Sequence, residues 1–184
     1  MTRIIAGAFG GRRLETPKGD GTRPTSDRVR ESLFASLTST LGGFGELRVL
    51  DLYAGSGALA LEALSRGAAS AVLVESDAKA AAVISRNVRE LGVEAKVQRT
   101  TVDRYLDGTS DGPFDLVFCD PPYAVTEEVL TGQLTRLVRL LGIGSLVVVE
   151  RSSRTPDVVW PDGIEAVRDK AYGETTLWYG QAHG

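Results

Sequence analysis

From Arg48 onward the chain alternates short apolar runs of strand length with helical segments, and that alternation restricts the fold more than any other feature. Val49-Leu50-Asp51-Leu52 reads as a strand, residues 58–65 as a helix and 71–75 as a second strand. A helix over about 77–91 follows, with Ala81, Ile84, Val88 and Leu91 along one face. Residues 95–97 make a third strand, 116–119 a fourth, 127–141 a helix and 145–150 a fifth strand. Parallel strands need a crossover of helix length, so this order predicts a parallel sheet wrapped by helices on both faces. The end of the chain breaks the rhythm. Residues 164–168 and 175–179 are strand-like, yet only a short connection through Tyr172-Gly173 joins them, which predicts an antiparallel hairpin at the sheet edge. The expected core is thus an α/β fold with a seven-stranded, mainly parallel sheet.

A different kind of segment precedes this body. Arg3-Ile4-Ile5-Ala6-Gly7 and Gly11-Arg12-Arg13-Leu14-Glu15 are short extended pieces separated by glycines, the pattern of a small hairpin. Residues 17–21 read as a loop. Thr25 or Ser26 can cap a helix on which Val29, Leu33, Leu37 and Leu41 recur every four residues, with Phe34 widening the stripe. Gly42-Gly43-Phe44-Gly45 ends that helix, so the chain divides into an N-terminal hairpin-plus-helix extension, 1–45, and a main body, 46–184.

Residues 1–30 hold seven basic side chains against three acidic ones, a net of +4; the whole chain carries −3, which leaves −7 for the remainder. A basic arm on an acidic body points to a polyanion as partner. Arg28 and Arg30 are expected off the apolar face of the first helix, near its start. A solvated helix face is the competing reading, and the adjacent Arg23-Pro24-Thr25 favours a functional one.

Two loops carry chemistry. Asp51-Leu52-Tyr53-Ala54-Gly55-Ser56-Gly57 joins the first strand of the sheet to its helix, where glycines let a ligand approach the backbone and a helix start offers unpaired N–H groups. Glu75, followed by Ser76, closes the second strand at the spacing at which a carboxylate meets the hydroxyls of a ribose. These features make the sheet Rossmann-like and fit NAD and S-adenosylmethionine equally; the third glycine of the NAD fingerprint is replaced by Ala60.

The second loop, Asp120-Pro121-Pro122-Tyr123, follows the apolar run Phe114-Asp115-Leu116-Val117-Phe118-Cys119. Two prolines prevent continuation as sheet or an immediate helix, so a stiff loop results. It holds a carboxylate, outward carbonyls and an aromatic ring at the edge where open α/β sheets bind ligands. An exocyclic amine can donate to Asp120 and to the carbonyl of Asp120 or Pro121 while its ring stacks on Tyr123. A dehydrogenase has no use for such a loop on the fourth strand.

One cysteine excludes an internal disulfide and a cysteine-cluster metal site, and Cys119 is expected in the core. The one histidine, His183, is expected to fray, which argues against histidine-based catalysis. With no membrane-length apolar run and no signal-peptide core, a cytoplasmic protein is expected.

The aromatic-x-Gly-x-Gly loop together with Asp120-Pro121-Pro122-Tyr123 resembles the class I S-adenosylmethionine-dependent methyltransferases that modify exocyclic amines. Arg3 to Gly7, Gly11-Arg12-Arg13-Leu14, the stretch from Arg23 through Arg28, Arg30 and Phe34, Leu61-Glu62-Ala63-Leu64-Ser65-Arg66-Gly67 and Lys170-Ala171-Tyr172-Gly173 extend the likeness over essentially the whole chain. Together they resemble the RsmD family of bacterial 16S ribosomal RNA guanine-N2 methyltransferases. The arginine-rich stretch is its most specific part.

The resemblance implies methyl transfer from S-adenosylmethionine to guanine 966 on naked 16S rRNA or the assembling 30S subunit, by a monomer needing no metal and no membrane. Asp120, Pro121, Pro122 and Tyr123 would be catalytic. Asp51, Tyr53, Ala54, Gly55, Ser56, Gly57, Glu75 and Ser76 would hold the cofactor. Thr101 and Val102 match the family's adenine pocket and read equally as a helix cap. Arg3, Arg12, Arg13, Arg23, Arg28, Arg30, Lys170 and Tyr172 would hold RNA. The alternatives are an amino-methyltransferase acting on adenine, cytosine or protein glutamine, and a non-catalytic RNA-binding ribosome assembly factor.

Overall fold

Period-two alternation in the strands decides the layers. In a computed structural model describing residues 2–18 and 26–184, β3 (Arg48–Leu52) sends Val49 into one hydrophobic cluster and Leu50 and Leu52 into another. The same split recurs in β6 (Phe114–Cys119), where Leu116 and Phe118 oppose Val117 and Cys119, and in β7 (Leu141–Ser152), where Leu146 and Val148 oppose Val147 and Val149. Strands buried on both faces belong at the centre of a parallel sheet.

The remaining elements are β1 (Thr2–Arg3), β2 (Arg13–Leu14), α1 (Asp27–Leu41), α2 (Ala58–Ser65), β4 (Ser70–Val74), α3 (Ala78–Leu91), β5 (Ala95–Gln98), α4 (Val102–Gly108), α5 (Glu127–Leu137), β8 (Ile164–Tyr172) and β9 (Thr175–Ala182). The main sheet runs β5-β4-β3-β6-β7-β9-β8, parallel from β5 to β7 and antiparallel thereafter. Residues of α1, α2 and α3 pack in one cluster, and those of α4 and α5 in the other.

The N-terminal extension is pinned by α2. Glu62 is 0% exposed, and its carboxylate accepts the N–H groups of Ile5 at 2.8 Å and Ala6 at 3.1 Å and the Arg66 Nε–H at 2.9 Å. One turn on, Ser65 Oγ accepts the Phe9 N–H and donates to the Ala6 carbonyl, while the Ser65 carbonyl accepts the Ala8 N–H. Gly7 lies so close that a Cβ there would stand 2.0 Å from the Ser65 carbonyl oxygen, so only glycine fits. From α3, Asn87 accepts the Glu15 N–H and returns a bond to the Glu15 carbonyl. Ile4, Leu14, Leu33, Phe34 and Leu37 share a core with Leu61, Leu73 and Phe118 of the main body.

Arg30 differs from its expected place. It is 1% exposed, sits 3.7 Å from Glu62, pairs with Asp27 and donates to the Arg3 carbonyl. The buried carboxylate of Glu62 draws it inward, where an isolated charge would be costly. Ser26 is the helix cap, accepting the Val29 N–H, while the alternative, Thr25, lies outside the described residues, as does the 19–21 part of the expected loop. The helix expected over 127–141 gives way at Val138–Leu140 to a 3-10 turn, and β7 starts at Leu141, before the predicted 145. The backbone of His183, expected to fray, donates to the Gly163 carbonyl. No described helix is long and apolar enough to cross a membrane.

Removing Glu62 strands two backbone donors, leaves Arg66 without its carboxylate and takes one of two acidic partners from buried Arg30. Glu62→Ala is therefore expected to lower the unfolding free energy by about 3–5 kcal/mol, the range for breaking one side of a buried ion pair. Urea denaturation measures it; a loss below about 1 kcal/mol would contradict the clamp.

Candidate functional site

The strand order reverses between β3 and β6, and the loops leaving their carboxyl ends diverge, which opens a crevice. A cleft of about 890 Å³ lies there, bordered by the ends of β3, β4, β6 and β7 and by α1. It brings together Asp51, Tyr53, Ala54, Gly55, Ser56, Glu75 and Ser76 with Asp120, Pro121, Pro122 and Tyr123. Two sequence-distant loops thus face one space.

The first loop is shaped for a ligand. Tyr53 sits at φ 61°, a strained conformation for a bulky residue, and its hydroxyl donates to Gln133 Oε1 at 2.9 Å. Ala54 N–H donates to the Val74 carbonyl, and Gly57 N–H to that of Ala54. Gly55, at φ 61°, would point a Cβ into open space. Gly57 caps α2 at φ 82°, and a Cβ there would press on Leu73 at 3.1 Å; it closes the turn without lining the cleft. Glu75 accepts the N–H groups of Gly55 at 2.8 Å and Asp77 at 2.9 Å, which ties the glycine loop to the end of β4.

The second loop is stiffened by its own turn, in which the Pro122 carbonyl accepts the Val125 N–H. Pro121 is buried, while Tyr123 is 73% exposed at the mouth of the cleft. Alternation places Asp120 and Glu150, which immediately follow Cys119 and Val149, on the same sheet face as Asp51 and Glu75. These four carboxyl groups therefore line the cleft from one sheet face, and Glu174 also borders it. No described group of three or more acidic, histidine or cysteine residues is arranged to hold a metal ion.

Their electrostatics follow from crowding. Burial pushes the Asp51 pKa up to about 7, against the pull of the Ala60 N–H and with added repulsion from Glu75. Burial and then the neighbouring Glu150 carboxyl raise Asp120 well above the ordinary range; Asp51 adds to this and Arg151 opposes it. Asp120 and Glu150 hydrogen-bond one another, so one carries the proton that it donates. Glu150 was absent from the residues singled out by motif. Its signal was an acid directly after an apolar strand, the same signature as Asp120. The Cys119 thiol is also raised by burial and stays inert in the core.

The remaining predicted residues separate. Thr101 caps α4 through the Arg104 N–H and Val102 packs in the core, so neither lines the cleft. Arg30 lines the cleft from within, contrary to a surface role in RNA contact, and its Nε and Nη1 hydrogen-bond to no described residue. Arg28, Lys170 and Tyr172 meet at a second, smaller cavity. Arg3 and Arg13 are exposed; Arg12 is exposed over the Phe9 ring and reaches the Glu90 carbonyl. Arg23 lies outside the described residues.

A family model described as conserved hypothetical protein 95 matches residues 2–181. The chain is 35% identical over 181 residues to a Bacillus subtilis (strain 168) protein described as the rRNA methyltransferase YlbH, covering 94% of this chain and 95% of that one. It is 42% identical over 122 residues to ribosomal RNA small subunit methyltransferase D of Escherichia coli (strain K12), a match spanning 66% of this chain and 60% of the relative. Among solved structures, an Escherichia coli chain described as the methyltransferase yhhF superposes with a TM-score of 0.86 at 32% identity, covering 98% of this chain and 97% of that one.

The raised Asp51 has a consequence for stability. The folded protein binds its proton more tightly than the unfolded chain, so this stabilisation is complete below about pH 4 and is lost as pH rises through 7. The shift from 3.8 to about 7 corresponds to a loss on the order of 4 kcal/mol, and Asp120 acts in the same direction. Asp51→Asn is expected to flatten the pH dependence and to be more stable than wild type at pH 8. Denaturation midpoints at pH 4.5, 6 and 8 test this; superimposable curves would refute it.

Proposed function

The chain belongs to the conserved hypothetical protein 95 family, the RsmD family, and on that premise we propose that it methylates the exocyclic N2 amine of a guanine in 16S ribosomal RNA, with S-adenosylmethionine as donor. The position implied by the family resemblance, guanine 966, is the one we assign. The observation that carries this reading is the joining of the glycine loop and Asp120-Pro121-Pro122-Tyr123 around one acid-lined cleft.

The donor set fits the cofactor. S-adenosylmethionine is a sulfonium with a net positive charge, and it supplies an electrophilic methyl group when bound. Asp51, Glu75, Asp120 and Glu150 give the cleft the complementary sign. The open side of Gly55 admits close backbone approach, and Glu75, which accepts the Gly55 N–H, would also accept the hydroxyls of a ribose.

Guanine N2 is a weak nucleophile because its lone pair is delocalised into the ring, so orientation matters more than a strong base. Asp120 and a carbonyl of the proline loop accept its two N–H groups and turn the lone pair toward the methyl donor. As the amine becomes cationic, the same two acceptors stabilise charge that develops only in the transition state. The Asp120–Glu150 pair, which shares one proton, keeps one negative charge with which to take the departing proton. Tyr123, exposed at the mouth, stacks on the unpaired or flipped base. The basic arm meets the phosphates, while the acidic cleft takes the cation.

Asp120→Ala is expected to slow methyl transfer by ~10²-fold or more while leaving cofactor affinity nearly unchanged. Assays with 16S rRNA, 30S particles and DNA measure the rate, and near-normal turnover would remove Asp120 from catalysis. Glu75→Ala is expected to weaken S-adenosylmethionine binding by ~1.5–3 kcal/mol. Calorimetric titration, with NAD as the competing ligand, decides this; tight NAD binding or an unaffected variant would overturn the cofactor assignment.

A further inference from the structure

We propose that the smaller cavity between α1 and the β8–β9 turn is a subsite for the phosphodiester flanking the target guanine in the RNA strand, an inference that rests on the RNA reading above. The cavity measures about 560 Å³, within the range of small-ligand sites. Arg28 reaches it from the first turn of α1, and Lys170 and Tyr172, two apart on β8, reach it from one face of that strand. Neither Arg28 nor Lys170 forms an ion pair with a described residue, and no carboxylate among the described residues lines the cavity. Two cations with no ion-pair partner among the described residues, around a concave surface, suit a single anion.

The floor is fixed in place. The Tyr172 hydroxyl and Ser32 Oγ are hydrogen-bonded at 2.9 Å, and Lys170 Nζ stands 5.1 Å from the Tyr172 ring centroid. Tyr172 and Val29 line the catalytic cleft as well as this cavity, so the two spaces adjoin across one wall. A strand that delivers its base to Asp120 passes Tyr172 with its neighbouring linkage. The charges divide accordingly: acids surround the base and the methyl donor, and cations surround the adjacent phosphate. This subsite selects an extended or flipped nucleotide, because the base and its phosphate must enter different cavities.

The test uses a single-stranded RNA dodecamer with one central guanine, bound at several salt concentrations by wild type and by the Arg28→Ala/Lys170→Ala double variant. Both residues are exposed, so the variant keeps its fold. We expect about 10-fold weaker binding by the variant, with the magnitude of the log–log salt slope reduced by about 0.7, the share of one phosphate contact on a single strand. Replacing the linkages beside the guanine one at a time with methylphosphonate should weaken wild-type binding at one of them and leave the double variant indifferent there. An unchanged slope, a wild type insensitive at both linkages, or a double variant as sensitive as wild type overturns the subsite. Methyl transfer from S-adenosylmethionine to the dodecamer and to 30S particles is measured in parallel. The linkage signature without methylation of either substrate defeats the enzymatic reading and leaves the subsite standing; methylation without the signature defeats the subsite alone.

Discussion

A single buried carboxylate organises the relation between the two parts of this chain. Glu62 lies on α2, immediately behind the glycine loop, and has no contact with solvent. A lone charge there would cost several kcal/mol, so its environment must be saturated with donors. The donors come from the N-terminal segment, through the backbone of Ile5 and Ala6, and from Arg66 one turn along the same helix. Arg30 completes the ring of positive charge and brings α1 with it. Once α1 is placed, Val29 and Arg30 become a wall of the acid-lined cleft. The basic N-terminal arm and the helix that follows the loop assigned to the cofactor are therefore joined through one side chain.

The site itself is electrostatically unfavourable in isolation. Three strand ends bring Asp51, Asp120 and Glu150 to one face, and burial, followed by repulsion from neighbouring carboxyl groups, raises the proton affinities of Asp51 and Asp120. Such crowding is typical where binding is served at the cost of stability. A cationic ligand relieves it, as does sharing a proton between Asp120 and Glu150. Arg151 is drawn away from full compensation because it also pairs with Glu127 and the Val125 carbonyl.

The sheet was legible because its signal is local. Alternating Val, Leu and Phe side chains in β3, β6 and β7 report two covered faces, and the proline pair after Cys119 reports a loop. Elements with weaker local signals were harder. Seven-residue α4 is too short for a helical stripe to show, and its cap Thr101 was visible only as an ambiguous position. β7 begins within Leu141-Gly142-Ile143-Gly144, where glycines break the strand pattern although Leu141 pairs with Phe114. β8 is an edge strand, mostly exposed, and its Asp169 and Lys170 hid its full length. Arg30 was misplaced for a different reason. A helical arginine reads as solvated unless its partner is known, and Glu62 is remote in sequence while itself reading as an ordinary helix residue. Glu150 carries the same strand-end signature as Asp120, and only the strand register reveals that the two stand side by side.

The geometry of the two ends of the described chain bears on how the protein can be handled. Thr2 is buried and borders the acid-lined cleft, so a tag or carrier joined ahead of it would emerge at the mouth of that cleft. β9 runs against the parallel strands: Thr175 pairs with Ser152 beside the cleft, whereas Gln181 pairs with Leu146 at the opposite rim. An attachment at the carboxyl end therefore projects from the far side of the sheet. Surface immobilisation or a fluorescent label through that end leaves the entrance clear, and the same device at the other end would act as a plug.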